Sequence, residues 1–131
     1  MNSYLFVYGT LLSSVGHPTG ARLRREGTLI GEASIQGRLY RISQYPGLIE
    51  DPDLATRVAG EVYELNSPRA SFKWLDAYEG IALGADPDNE YERVERQVLL
   101  ASGDQIAAWV YLYRKPISGL QLIPEGRWLS A

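Results

Sequence analysis

The sequence contains no cysteine and one histidine among its 131 residues. Thiol nucleophiles, disulfides, zinc fingers and iron–sulfur clusters are therefore excluded. A single histidine also excludes a multi-histidine metal site. That residue, His17, lies between Gly16 and Pro18 in a polar stretch, a poor place to orient the imidazole of a Ser-His-Asp triad. We interpret His17 as an exposed surface residue, expect neither metal nor cofactor, and assign any chemistry to carboxylates, hydroxyls, lysine, arginine and backbone amides.

Long apolar runs and a strong net charge are also missing. No stretch approaches the roughly 20 apolar residues of a membrane helix, and the opening MNSYLFVYG lacks the basic region of a signal peptide. The net charge of -3 gives no electrostatic reason to expect nucleic acid. With 45% hydrophobic and 22% charged residues, the chain reads as one globular domain over residues 1–131. We expect a cytoplasmic protein with no membrane and no nucleic-acid partner.

The hydrophobic pattern predicts more strand than helix. Strands are predicted at residues 4–8, 27–42 (bent at Gly31 and Gly37), 58–65, 91–100 and 105–114, the last two forming a hairpin. Helices are predicted at 18–26 and at 68–79, the second with Ser67 as N-cap and Gly80 as its stop. The expected fold is therefore α+β, with a curved, barrel-like mixed sheet and helices packed outside it.

Glu79 occupies an unusual place in the second predicted helix. It shares a face with Phe72 and Leu75, because seven residues make close to two turns. Burial, the helix dipole and a charged Asp76 should each raise the pKa of Glu79 towards neutral, as a general acid or base near pH 7 requires. Alternatively, Glu79 reaches past the helix end into water or pairs with an arginine such as Arg93. The spacing alone leaves both interpretations open.

The turn after the first strand is a second candidate site. The buried strand stops at Gly9, and glycine can adopt φ values closed to other residues and let a ligand approach the backbone. Successive amides in such a turn can converge on an anion, and Thr10 adds a hydroxyl. Most strand-glycine-threonine turns are simply turns, so this anion site is a hypothesis.

Four short motifs follow one another along the chain with no large insertion between them. They are Y-G-T-L at residues 8–11, L-D-A-Y-E-G at 75–80, Y-E-R at 91–93 and G-R-W at 126–128. Each motif is common alone, but their order and spacing together resemble those of the gamma-glutamylcyclotransferase/AIG2-like family.

This resemblance implies a small mixed-sheet barrel with flanking helices and a site at one mouth. It also implies a reaction in which the α-amine of a gamma-glutamyl group attacks its own side-chain amide, releasing 5-oxoproline and an amine or peptide. Glu79 would be the catalytic acid–base residue. The implied substrate-binding residues are Tyr8, Gly9, Thr10, Leu11 and Tyr91. Tyr91 would either close over the substrate or simply pack in the core, and backbone amides near Gly9 and Thr10 would hold the substrate carboxylate or the oxyanion.

Other expectations concern partners and alternatives. We expect a small-molecule gamma-glutamyl substrate and a monomer or weak dimer. The leaving group stays open, with gamma-glutamylamines favoured slightly over glutathione. Residues 81–90 are longer than a minimal connection and could form a lid. The competing class is a catalytically inactive gamma-glutamyl ligand-binding module of the same fold; a plain interaction domain would require the Glu79 carboxylate to lie in open solvent.

Overall fold

The computed structural model describes residues 1–53, 55–81 and 89–128. Its elements, in chain order, are β1 (Tyr4–Val7), α1 (Pro18–Glu26), β2 (Gly27–Gln36), β3 (Arg38–Arg41), β4 (Pro46–Ile49), β5 (Arg57–Leu65), α2 (Pro68–Tyr78), β6 (Tyr91–Leu100), β7 (Gln105–Tyr113) and β8 (Gln121–Ile123). The expected mixed α+β fold is confirmed.

Five strands form a closed barrel in the order β1-β5-β2-β6-β7. All neighbours pair antiparallel except β1 and β7, which meet in parallel at Leu5 and Trp109. The β2–β5 ladder shifts register between Leu29 and Gly31, which is the bulge expected at that glycine. Apolar side chains from every barrel strand are fully or almost fully buried; they include Leu5, Phe6, Ala33, Val62, Val98 and Val110.

A second, three-stranded sheet has the order β4-β3-β8. The segment predicted as strand over residues 27–42, with interruptions at Gly31 and Gly37, divides at Gly37 into β2 and β3, which belong to different sheets. A Cβ at Gly37 would lie 2.7 Å from the Ile49 carbonyl oxygen, so glycine permits the close approach of β4. Strands β4 and β8 were not predicted: they have four and three residues, and β4 starts at a proline.

Helix α1 has the predicted bounds. His17 is its N-cap and accepts a hydrogen bond on Nδ1 from the Thr19 amide at 3.1 Å. The interpretation of His17 as an exposed surface residue is therefore wrong: it is partly buried and orders the start of the helix. Neither helix in the described ranges is long and apolar enough to cross a membrane.

Helix α2 packs its apolar face inward, with Phe72 2% and Leu75 0% exposed. Ser67 holds the N-cap position, but its side chain makes no capping hydrogen bond, contrary to expectation. The helix ends as expected, since Gly80 adopts a φ of 74° and Glu79 becomes the C-cap residue. The turn at Gly80 therefore ends the helix at a defined residue and sets the position of the Glu79 backbone.

The two helices are joined through the carboxylate of Glu26. Its Oε1 accepts hydrogen bonds from Ser71 Oγ at 2.7 Å and Trp74 Nε1 at 2.8 Å, and its Oε2 accepts one from Arg22 Nε at 2.9 Å. These donors lower the pKa of Glu26 to about 2. Glu26 is thus a structural carboxylate between α1 and α2.

Candidate active site

A cavity of about 400 Å³ opens where the ends of several elements meet. Its walls come from β1 and the turn after it, the start of β4, the end of α2, the start of β6, and β7. All six residues predicted for the site lie on these walls: Tyr8, Gly9, Thr10, Leu11, Glu79 and Tyr91. Residues from three distant parts of the sequence are thus brought around one space of ligand size.

Glu79 stands at the end of α2, partly buried in this cavity. Its backbone N–H donates to the Leu75 carbonyl at 3.0 Å, which fixes the residue to the last helical turn. Burial first, and then the negative charges of Glu90 and Asp76, together raise the pKa of Glu79 to about 7. A carboxyl group with this pKa can both take and return a proton near neutral pH.

Arg93 does not neutralise Glu79. Its Nε donates to Asp76 Oδ1 at 2.9 Å, while its guanidinium lies 4.0 Å from the Phe72 ring centroid and 4.5 Å from that of Trp109. The alternative in which Arg93 pairs with Glu79 is therefore wrong. Within the described ranges no ion pair engages Glu79, and its partial burial also places it out of open solvent.

Tyr8 and Tyr91 form rigid walls of the cavity. The Tyr8 hydroxyl donates to the Tyr111 carbonyl at 2.5 Å and accepts from the Leu48 amide at 3.3 Å. The Tyr91 hydroxyl donates to the Pro46 carbonyl at 2.7 Å. Burial, followed by nearby ionisable groups, raises the pKa of both tyrosines. Both hydroxyls are therefore occupied by the backbone, and the ring surfaces are what these residues offer to a ligand.

The turn after β1 differs in part from the expectation. Gly9 is not among the glycines with positive φ; instead, a Cβ there would lie 2.8 Å from Pro46 Cδ. The Thr10 hydroxyl shares a hydrogen bond of 2.8 Å with the Tyr78 hydroxyl, so it ties the turn to α2. Leu11 is 3% exposed and packs in the core.

Two amides of this turn remain available for a ligand. The Leu12 amide donates to the Gly9 carbonyl at 3.0 Å, and the Ser13 amide donates to Glu61 at 2.8 Å. By contrast, the amides of Thr10 and Leu11 donate to no acceptor in the part of the chain that the structure describes. This leaves adjacent N–H groups at the cavity wall, as an anion site needs.

Among the lining residues that were not predicted for the site are His17, Tyr45 and Glu90. The His17 ring lies 6.0 Å from that of Tyr78, edge to face. The Tyr45 hydroxyl donates to Glu90 Oε1 at 2.5 Å, and this hydrogen bond is the main cause that raises the pKa of Tyr45 to about 12. The position of His17 before Pro18, at a helix start, was a usable signal. The Tyr45–Glu90 pair, 45 residues apart, left none.

Two further expectations concern a metal site and a lid. Across the described residues, no group of three histidine, cysteine, aspartate or glutamate side chains is arranged to hold a metal ion. The lid hypothesis concerned residues 81–90, of which 82–88 lie outside the described residues.

Comparison with known proteins places the chain in a family. The family described as "Gamma-glutamyl cyclotransferase, AIG2-like" matches residues 5–130, and the chain belongs to it. This confirms the resemblance read from the four motifs. The chain is 35% identical over 127 residues to the gamma-glutamylcyclotransferase family protein ytfP of Citrobacter rodentium, covering 96% of this chain and 95% of the relative.

Solved structures agree with that assignment. The solution structure of protein ytfP from Escherichia coli has a TM-score of 0.65 and 32% identity, covering 96% of each chain. The crystal structure of YkqA from Bacillus subtilis has a TM-score of 0.70 and 25% identity, covering 98% of this chain and 40% of that one. This chain therefore spans about two fifths of YkqA.

Proposed function

We propose that this protein is a gamma-glutamyl cyclotransferase that releases 5-oxoproline from a gamma-glutamyl amine or peptide, with Glu79 as general acid and base. The observation that carries the proposal is the placement of Glu79, with a pKa of about 7, in the wall of a cavity shared with the Tyr8–Leu11 turn. Membership of the family supports the reaction class.

The reaction requires no nucleophile from the protein. The α-amine of the substrate attacks the carbonyl carbon of its own side-chain amide, forming a C–N bond and a tetrahedral intermediate. The bond from that carbon to the departing nitrogen then breaks, leaving 5-oxoproline and a free amine. Because both reacting atoms belong to one molecule, holding the chain curled in a rigid cavity supplies much of the rate.

Glu79 moves one proton between two nitrogens. As the carboxylate, it takes a proton from the α-ammonium and so frees the lone pair for attack. As the acid, it returns that proton to the nitrogen that leaves, while the attacking nitrogen, which still carries two protons after the C–N bond forms, loses one of them to solvent to give the lactam N–H of 5-oxoproline. A pKa near 7 keeps both forms of Glu79 accessible at neutral pH, which is the condition for efficient transfer in each direction.

The turn after β1 supplies the complementary positive potential. The amides of Thr10 and Leu11 would hold either the substrate carboxylate or the oxyanion of the tetrahedral intermediate. The rings of Tyr8 and Tyr91 would enclose the aliphatic part of the gamma-glutamyl group. These two tyrosines are fixed by backbone hydrogen bonds, so the cavity is preorganised.

A substrate panel tests the proposal. The wild-type protein is incubated with gamma-glutamyl-ε-lysine, gamma-glutamyl-alanine and glutathione, and 5-oxoproline is measured. We expect release from at least one of them, with the lysine isopeptide turned over faster than glutathione. Release should survive exhaustive EDTA treatment, because the chain has no cysteine and one histidine.

The control is an N-acetylated version of the best substrate. Capping the α-amine removes the nucleophile, so no product should form. Turnover of the capped compound would contradict the mechanism. Specific binding of the panel without any 5-oxoproline would instead indicate an inactive binding module.

A further inference from the structure

The cavity holds a second carboxylate, Glu90, just before β6. Its backbone carbonyl accepts from the Arg114 amide at 2.8 Å, and its Oε1 accepts from the Tyr45 hydroxyl at 2.5 Å. Its Oε2 accepts no hydrogen bond from a described residue. Glu90 is thus anchored at two points, and among the described residues its second oxygen has no donor.

No basic side chain opposes these acids. All 13 lysine and arginine residues fall in the described ranges, and none of them lines the cavity. The walls instead carry aromatic rings, from Phe6, Tyr8, Tyr45, Tyr78, Tyr91 and Tyr111. Ring faces attract ammonium groups and carboxylates bind them, so both features favour a cation and disfavour an anionic tail.

A gamma-glutamyl group gives Glu90 no obvious partner. Its one cationic group is the α-ammonium, whose proton Glu79 takes in the proposed reaction. Its α-carboxylate suits the amides of the turn rather than an acid. Glu90 is held by a different element from Glu79, since it directly precedes β6 whereas Glu79 caps α2. The remaining part of any substrate is the leaving group.

From this arrangement we infer that Glu90 is a specificity residue that selects gamma-glutamyl amides whose leaving amine carries a second ammonium, such as amides of diamines. The inference rests on the proposed function and narrows its substrate class. The Oε2 of Glu90 accepts from the distal ammonium, and nearby rings cover the methylene chain of the leaving amine. A peptide leaving group that ends in a carboxylate meets the same acid and is disfavoured.

Two matched substrates test this inference. Gamma-glutamyl-cadaverine carries a distal ammonium, and gamma-glutamyl-hexylamine replaces it with a methyl group of similar size. For the wild type, kcat/KM should favour the cadaverine amide by at least about tenfold, the factor expected for one hydrogen bond between charged groups. Glu90→Gln should bring the ratio close to one by slowing the cadaverine amide selectively.

Glu92→Gln is the control variant. It removes the same charge two residues away, where Glu92 pairs with Arg114 outside the cavity, and should keep the wild-type ratio. Thermal melting checks that each variant folds. If Glu90→Gln does not fold, the wild-type ratio decides, and a ratio of one or below contradicts the inference.

The other outcomes separate this inference from the proposed function. Equal losses for both amides in Glu90→Gln would mean that Glu90 acts on the gamma-glutamyl group, which overturns the inference and leaves the cyclisation standing. If the wild type turns over neither amide, the ratio of their Kd values, measured by calorimetry, replaces the kinetic ratio. Tighter binding of the cadaverine amide would then support the role of Glu90 in selectivity even though the proposed reaction had failed. Equal affinities for the two amides would overturn that role.

Discussion

Glu26 and Glu79 are both glutamates at the carboxyl end of a helix, and their pKa values move in opposite directions. Glu26 is the last residue of α1 and its pKa falls to about 2. Glu79 caps α2 and its pKa rises to about 7. The helix dipole disfavours an anion at both places, so it does not explain the difference.

The difference lies in the neighbours of each carboxylate. Three donors, from Ser71, Trp74 and Arg22, satisfy the oxygens of Glu26. Glu79 faces the cavity, and the two groups whose charges act on it, Glu90 and Asp76, are both acids. The same residue type therefore stabilises the helix pair in one place, while in the other its ionisation is opposed and its proton becomes mobile.

The largest expected effect is on turnover. Glu79→Gln should lower kcat at least about 100-fold, the usual contribution of a positioned acid–base group, since glutamine keeps the shape and cannot transfer the proton. Glu26→Gln should change kcat less than about threefold, because Glu26 is not in the cavity wall. The kcat of both variants is measured as release of 5-oxoproline from the best panel substrate. Equal losses of kcat in the two variants would contradict the different roles assigned to Glu79 and Glu26.

The second prediction concerns stability at different pH. Because folding raises the pKa of Glu79 from 4.5 to about 7, the folded protein binds the proton more tightly and its stability falls as pH rises across that window. Removing the charge with Glu79→Gln should add about 3 kcal/mol at pH 8, given about 1.4 kcal/mol per pKa unit, and less at pH 5. Urea unfolding at the two pH values checks this; a variant less stable than the wild type at pH 8 would contradict it.

The smallest predicted effect is the loss of a structural acid. Glu26→Gln should cost about 1–2 kcal/mol at pH 7, a reduced value because the Glu26 side chain is 32% exposed and partly screened by water. The depressed pKa stabilises the fold above pH 4.5, and this contribution is lost as pH falls towards 2. The gap between wild type and variant should therefore narrow in acid, as followed by thermal melting. A stability difference that grows in acid would contradict the stabilising role assigned to the Glu26 carboxylate.

The parts of this fold that the sequence predicted depend on local signals. Helix α1 matches its predicted bounds, and α2 ends one residue earlier than expected because Glu79 is its cap. The strands β5, β6 and β7 agree within one residue. The three-stranded sheet was not predicted, because β3 pairs with β8 across about 80 residues and short strands carry little periodicity.

In the candidate site, too, the sequence predicted the features that depend on local spacing and missed those that depend on distant contacts. Helical spacing placed Glu79 and Asp76 correctly, because i and i+3 positions on a helix are fixed neighbours. Glu90 affects the pKa of Glu79 more than Asp76 does, yet it lies just before β6, and no pattern along the chain relates a helix end to a strand start. Gly9 lines the cavity, but the sequence singled it out for a backbone angle rather than for its close approach to Pro46.

The most direct test of the central claim is the pH dependence of kcat/KM for 5-oxoproline release by the wild type, since this ratio reports ionisations of the free protein and free substrate. Activity should rise with pH through an apparent pKa near 7, as Glu79 becomes the carboxylate that accepts the α-ammonium proton. The residual activity of Glu79→Gln should lack this limb. A wild-type limb near 4.5, or a limb near 7 that persists in Glu79→Gln, would contradict the account.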